Sequence, residues 1–138
     1  MIITKEREYA VRAVRALSTG NTGITTRTAK DICNSENIPI LFVYKILKKL
    51  EHRGIVQSVR GVHCGYRLAK EPNSISILDI FLAVDENLFF NKCLKSGVVC
   101  ENHSDSKCCS MHEVFGNLQS VMLAILDEKT IDMLAQAQ

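Results

Sequence analysis

At Gly54 the hydrophobic rhythm of this chain changes its period, and that switch constrains the fold more than any other feature. Upstream, apolar residues recur at helical spacing. Ala10, Ala13, Val14 and Leu17 mark a helix over 5–18, with Thr4 able to cap its start. The run from Ser18 to Gly23 is a loop by composition, and Ala29 and Ile32 mark a short second helix over 26–34. Asn34-Ser35-Glu36-Asn37 breaks that helix, and Pro39 suits the first turn of a third helix running to about His52. Val43, Ile46, Leu47 and Leu50 form its apolar set, and Gly54 ends it. Downstream, residues 55–60 and 65–69 alternate with period 2, and Gly61-Val62-His63-Cys64 joins them as a hairpin. Three helices followed by a basic hairpin predict a winged helix-turn-helix. Helix 39–52 would enter the major groove, and the hairpin would be the wing.

After a turn at Glu71-Pro72-Asn73, Ser74 or Ser76 caps a helix that carries Ile77, Ile80, Phe81 and Val84. Residues 87–109 show no period, and a stretch that long inside a compact chain is either disordered or held by something. A long helix over 110–127 follows. Its Met111, Phe115, Leu118, Met122 and Ile125 fall in a 4-3-4-3 pattern, the spacing of a heptad seam. Such a short seam cannot stand alone; it serves as a dimerisation helix or as an amphipathic helix on the core. Thr130 can start a last short helix. The expected fold is mainly α with a small β-hairpin: a winged helix-turn-helix DNA-binding region over 1–72, then a segment 73–138 that holds the loop 87–109 and the dimerisation helix.

The net charge of +2 hides an asymmetry. Residues 1–70 hold 13 Lys and Arg against 5 Asp and Glu, a balance of +8, whereas residues 71–138 hold 4 against 10, a balance of −6. A basic half joined to an acidic one points to a polyanion-binding end and a different end. With aromatics at 6% and no Trp, a sheet that stacks single-stranded bases is disfavoured. No apolar run is long enough to span a membrane, and charges at Lys5 to Glu8 stand where a signal peptide needs apolar residues, so the cytoplasm is expected. The chain carries no phosphate-binding glycine loop, nucleophile elbow or paired-histidine protease motif, which argues against an enzyme.

Four of the six cysteines, Cys93, Cys100, Cys108 and Cys109, lie close together in the acidic half. Without an export signal a disulfide framework is not expected, and clustered thiols point to metal. With His112 nearby, the set suits zinc or an iron–sulfur cluster. The wide first two spacings weaken a structural zinc site, which favours cysteines two to four residues apart.

Glu8-Tyr9-Ala10-Val11-Arg12, Val59-Arg60-Gly61, Gly65-Tyr66-Arg67-Leu68-Ala69 and Ala83-Val84-Asp85-Glu86, followed by the cysteine loop, occur in this order along the chain. In this order they resemble the Rrf2 family of winged-helix transcriptional regulators, typified by IscR-like and NsrR-like members, and the resemblance spans nearly the whole chain. It implies a homodimer on double-stranded operator DNA, acting as a repressor in the NsrR-like branch. It also implies an iron–sulfur cluster held by three cysteines and a non-cysteine ligand, with a two-iron cluster (2Fe-2S) favoured and a four-iron cluster (4Fe-4S) as the alternative. Cys93 and Cys100 take the first two ligand places. Cys109 takes the third, because Cys109-Ser110-Met111-His112-Glu113-Val114-Phe115 fits the IscR-like frame, with Cys108 as the alternative. The fourth place falls to His112 in the IscR-like pattern or to Glu8 of the first helix in the NsrR-like one; Glu8 could equally pair with Arg12 one turn on. Structural zinc or thiol-redox sensing without a cluster is the alternative for the whole chain.

Two positions depart from the family. Cys64 stands where the wing usually has Gly, and Ile40, Leu41, Phe42 and Tyr44 stand where polar readers are expected. Base reading would then fall to Tyr44, Lys45 and Lys48. Lys49, Arg53 and Arg67 would join these lysines on phosphates, and Arg60, with His63 beside it at the wing tip, would reach the minor groove or a base edge.

Overall fold

The computed structural model describes residues 3–18, 25–101 and 109–136. Helix α1 (Lys5–Ser18) buries Ala10, Ala13, Val14 and Leu17, the face its spacing predicts. Helix α2 (Ala29–Glu36) starts three residues later than that spacing suggests, because Thr28 forms a capping box. Thr28 Oγ1 accepts from the Asp31 amide at 3.0 Å, and Asp31 Oδ2 accepts from the Thr28 amide at 3.1 Å. The helix also runs past Asn34 to Glu36. It stops at Asn37, whose φ of 53° is the left-handed conformation that Asn tolerates better than most residues. Helix α3 (Ile40–His52) follows Pro39 and buries Val43, Ile46, Leu47 and Leu50.

Strands β1 (Val56–Val59) and β2 (Gly65–Leu68) pair antiparallel, with Val56 opposite Leu68 and Val59 opposite Gly65. A third short piece joins them: Arg27 bridges to Tyr66 through amide–carbonyl bonds of 2.9 and 2.7 Å. The β-branched residues Ile24, Thr25 and Thr26 just before it favour extended backbone where a helix is expected from residue 26. This bridge explains Gly65. A Cβ there would lie 2.6 Å from the Arg27 carbonyl oxygen, so only glycine lets the wing dock this close to α2.

A 3-10 turn (Pro72–Ser74) leads to helix α4 (Ile77–Val84), and Ser76 rather than Ser74 forms its capping box, with Asp79. A second 3-10 turn (Lys92–Leu94) precedes helix α5 (Ser110–Glu128) and helix α6 (Ile131–Gln136). Residues 75–77 and 129–131 bond to each other, Ile77 N to the Lys129 carbonyl at 2.9 Å and Ile131 N to the Ile75 carbonyl at 3.0 Å. The chain after α5 is thereby returned to α1. Ile75, Ile80, Val84 and Ile131 accordingly share one core with Val14, Leu17, Ile46, Leu50 and Leu68. The winged unit and the later helices are therefore built on a common hydrophobic centre.

Helix α5 buries no residue completely. Its exposed apolar stripe is Met111, Val114, Leu118, Val121 and Ile125, a 3-4-3-4 pattern. This corrects the seam read from sequence: Phe115 and Met122 are half-buried instead, with the Phe115 ring 5.7 Å from that of Phe90. Among the described residues no helix is long and apolar enough to cross a membrane.

Candidate functional site

The outward face of α3 carries Leu41, Tyr44, Lys45, Lys48 and His52, all exposed. Leu41 thus occupies a reader position, as the sequence places it, while His52 is an addition; both fall opposite the buried set when 3.6 residues make a turn. Phe42 is not a reader of this face; its ring packs edge-on against Tyr9 of α1 at 5.6 Å. On the wing side, Glu51 Oε1 accepts from the Ser58 amide at 3.1 Å and from its hydroxyl at 2.8 Å, which fixes β1 to α3. Tyr66 lies behind this contact. Burial first, and then the nearby Glu51 charge, push its phenol above the ordinary range. The wing tip is fully open: Arg60, Val62, His63 and Cys64 are exposed, Val62 to 96%.

Three of the cations are turned to partners within the chain. Lys49 Nζ donates to Glu6 Oε1 at 2.8 Å and to the Val84 carbonyl at 2.9 Å. Arg53 pairs with Glu86. Arg67 lies opposite Gln57 in the ladder; when the Gln57 amide oxygen faces the guanidinium, it accepts from Nε at 2.7 Å and Nη2 at 2.9 Å. Lys45 leans toward Glu6 at 3.4 Å but stays half in solvent. Partial burial would raise the Glu6 carboxyl, but the hydrogen bond and charge of Lys49, with Lys45, outweigh it and hold the group below its ordinary value.

These contacts converge on residues 84–87, the chain just before the cysteine segment. The buried Arg7 donates to the carbonyls of Asp85 at 3.0 Å and Asn87 at 3.2 Å, and its guanidinium lies over the Phe81 ring. The Asn87 amide, chiefly, holds the Asp85 carboxyl below its usual range, with Arg7 and Lys49 contributing. The conspicuous Ala83-Val84-Asp85-Glu86 run is thus where α1, α3 and α4 are tied together.

Beyond it the segment is pinned to α5. Gln119 donates to the Leu88 carbonyl at 2.6 Å and accepts from the Phe90 amide at 2.7 Å, while Leu88 is buried. Cys93 sits in the 3-10 turn, next to Leu94, which approaches Gly116 of α5. Cys93, Cys100 and Cys109 are free, half-buried thiols, and Cys109 is the N-cap residue of α5 without a side-chain cap bond. His112 lies in the first turn of α5, and its buried Nδ1 has no hydrogen-bond partner among the described residues. Cys108 falls outside the described residues. Glu8 pairs with Lys5 at 3.0 Å and Arg12 at 3.6 Å. Among the described residues no three His, Cys, Asp or Glu side chains converge on one metal position. The donor chemistry therefore fits a thiophilic metal group, while the described residues do not present its ligands assembled.

A basic face on a helix beside an open wing defines a DNA-binding winged-helix protein, and the solved structures it is similar to have the same fold. CymR of B. subtilis, described as its global cysteine regulator, superposes with a TM-score of 0.80 at 21% identity, over 100% of this chain and 98% of the other. IscR of T. potens gives 0.76 at 22% identity, over 100% and 89%. The Rrf2 family model, that of an iron-dependent transcriptional regulator, matches residues 3–137. An HTH-type transcriptional regulator of Haemophilus influenzae is 32% identical over 131 residues, 95% of this chain and 84% of that protein. IscR of Escherichia coli O1:K1 is 27% identical over 138 residues, 100% and 82% of the two chains. The chain belongs to the Rrf2 family of transcriptional regulators; it is a regulator and not an enzyme.

Proposed function

We propose that this protein binds operator DNA as a homodimer and that an iron–sulfur cluster, held by Cys93, Cys100, Cys109 and His112, governs that binding. The observation that carries the reading is His112 Nδ1, a buried ring nitrogen without a protein partner. It stands three residues after the half-buried Cys109 thiol, in the helix against which the Cys93 turn packs. A buried imidazole nitrogen left unsatisfied is costly, and coordination removes that cost. The engagement of Glu8 by Lys5 and Arg12 favours His112 over Glu8 as the fourth ligand. The Cys109-to-Phe115 run, which fits the IscR-like frame, supports the same assignment.

Cys93 and Cys100 of the segment and Cys109 and His112 at the start of α5 would hold the cluster, which when bound would tie the segment to that helix. The rest of the coupling belongs to the chain. Without that tie, the Gln119 and Phe115 contacts at residues 88–90 and the packing of Leu94 near Gly116 hold the segment to α5. Residues 84–87 lie between the segment and α3, and Lys49 and Arg53 join them to the recognition helix. A change in how the segment is held thus reaches the reading helix through one hydrogen bond, Lys49 to the Val84 carbonyl, and one ion pair, Arg53 with Glu86. Ordering freed chain costs about 1–2 kcal/mol per residue, so losing several anchored residues is enough to shift an operator-binding equilibrium.

The test is purification without oxygen. A coloured protein that holds iron and sulfide, and that changes its operator affinity when a chelator strips them, is expected. His112→Ala should alter the visible spectrum and Glu8→Ala should not. Colourless protein that cannot be reconstituted, yet binds its operator unchanged, would overturn the cluster and leave thiol-redox or zinc control.

A further inference from the structure

We infer that Leu41 is a sequence-reading residue of this regulator and that it recognises the 5-methyl group of a thymine in the major groove. The inference rests on α3 being the helix that enters that groove. Leu41 is 80% exposed, while its neighbours Ile40 and Phe42 are exposed to only 37% and 38%. Phe42 is held by Tyr9, so nothing equivalent draws Leu41 into the core. A lone exposed leucine is ordinary on a protein surface. This one, however, lies at the N-terminal end of the reading helix, in the row that continues through Tyr44, Lys45, Lys48 and His52. Residues in the first turns of such a helix meet base edges, whereas later ones meet phosphates. Leu41 therefore stands one turn ahead of Lys45 and two ahead of Lys48, at the end of the helix where the groove floor would be closest.

The chemistry of the row limits what it can read. It contains no Arg for a rigid fork on guanine and no Asn or Gln for adenine. Tyr44 offers one hydroxyl, His52 its ring nitrogens, and Lys45 and Lys48 offer ammonium donors to guanine acceptors or phosphates. Leu41 has neither donor nor acceptor. The apolar feature of a base pair in the major groove is the thymine methyl, which alkyl side chains contact. Desolvating Leu41 against that methyl rewards thymine and gains nothing from cytosine, whose equivalent carbon is bare.

Replacement of thymine by uracil removes that methyl alone and tests the assignment. A preferred half-site is first selected by the wild-type protein from random duplexes, and each thymine in it is then changed singly to uracil. At one thymine per half-site the change should weaken wild-type binding about fourfold, the value of one buried methyl-sized group. Leu41→Ala should bind the thymine duplex more weakly and show no further loss with uracil at that position. Its melting temperature should match wild type, because the side chain is exposed. If every uracil duplex binds wild type as tightly as the thymine duplex does, or if Leu41→Ala keeps the full uracil penalty, the inference fails while DNA recognition stands. If no sequence is enriched at all, DNA recognition by this helix fails with it.

Discussion

Lys49 Nζ sits 2.8 Å from Glu6 Oε1, a pair that ties the recognition helix to the first helix beside their shared core. The same ammonium also donates to the Val84 carbonyl, so one side chain joins α1, α3 and the end of α4. Both partners are largely shielded, which separates this pair from the exposed Lys5–Glu8 pair. Lys49→Met keeps the stem and removes the charge. It should lower stability by about 1–2 kcal/mol, because it takes the Lys49 donor from the Val84 carbonyl and leaves the Glu6 carboxylate with Lys45 alone. Urea unfolding of Lys49→Met, Glu6→Gln and the double variant, read as a thermodynamic cycle, should give a coupling energy of about 1 kcal/mol. Independent effects would mean that the pair holds nothing.

The same pair makes stability depend on acid. The folded-state Glu6 carboxyl lies below its ordinary 4.5, so the unfolded chain takes up its proton first as pH falls. The stabilisation is complete above the unfolded value and is lost as pH drops through the lowered folded one. Asp85 acts in the same direction from its ordinary 3.8. Between about pH 5 and pH 3 the wild-type melting temperature should fall, and Glu6→Gln should show a shallower fall over the same range. Parallel curves would remove Glu6 as a contributor.

Gly65 is the position least tolerant of change in the wing. Gly65→Ala forces a methyl to within 2.6 Å of the Arg27 oxygen, so the two Arg27–Tyr66 bonds must lengthen or break. A loss of about 2–3 kcal/mol is expected from two weakened backbone bonds and the displaced wing. The melting temperature should drop by roughly 3–4 °C per kcal/mol for a chain of this size. Operator affinity should fall as well, since Arg60 and His63 are carried by the displaced hairpin.

The wing and the reading helix were legible because their signals are periodic and local: Val43, Ile46, Leu47 and Leu50 for a helix, and β-branched alternation around Val56 and Val59 for a strand. Partners brought together by the fold were not. Nothing near Lys49 in sequence foretells Glu6, 43 residues away, and its charge alone makes it look like a phosphate contact. Arg53 with Glu86 and Arg67 with Gln57 are further cases of the same kind. The α5 seam was missed for a related reason. Phe115 and Val114 are both apolar, and only the position of Phe90 decides which of them faces the protomer. The cysteine set was visible as chemistry, while the orphan nitrogen of His112 needed coordinates.

Gln119 pins the start of the cysteine segment through both ends of its amide. Gln119→Leu is close in volume but leaves the Phe90 amide and the Leu88 carbonyl unpaired. It should raise hydrogen exchange at Phe90 by one to two orders of magnitude, equivalent to losing about 1–3 kcal/mol of local protection. Amides in the α1 and α3 core should be slowed or quickened far less, because they report global opening. Unchanged exchange at Phe90 would show that Leu88 and Phe115 hold the segment unaided.

The stripe Met111, Val114, Leu118, Val121 and Ile125 runs along one side of α5 in a spacing that two antiparallel or parallel helices can interleave. Solvated apolar side chains at each of these turns are unfavourable in an isolated protomer, and a second copy of the helix removes them from water. Leu118→Asp places a charge at the centre of that stripe. The wild type is expected to sediment as a dimer and the variant as a monomer at micromolar concentration. The variant should retain its helical circular dichroism, since Leu118 is exposed within the protomer. Operator binding should weaken far more than binding to a single half-site, because two reading helices then no longer share one encounter. A variant that stays dimeric would place the dimer contact somewhere other than this stripe.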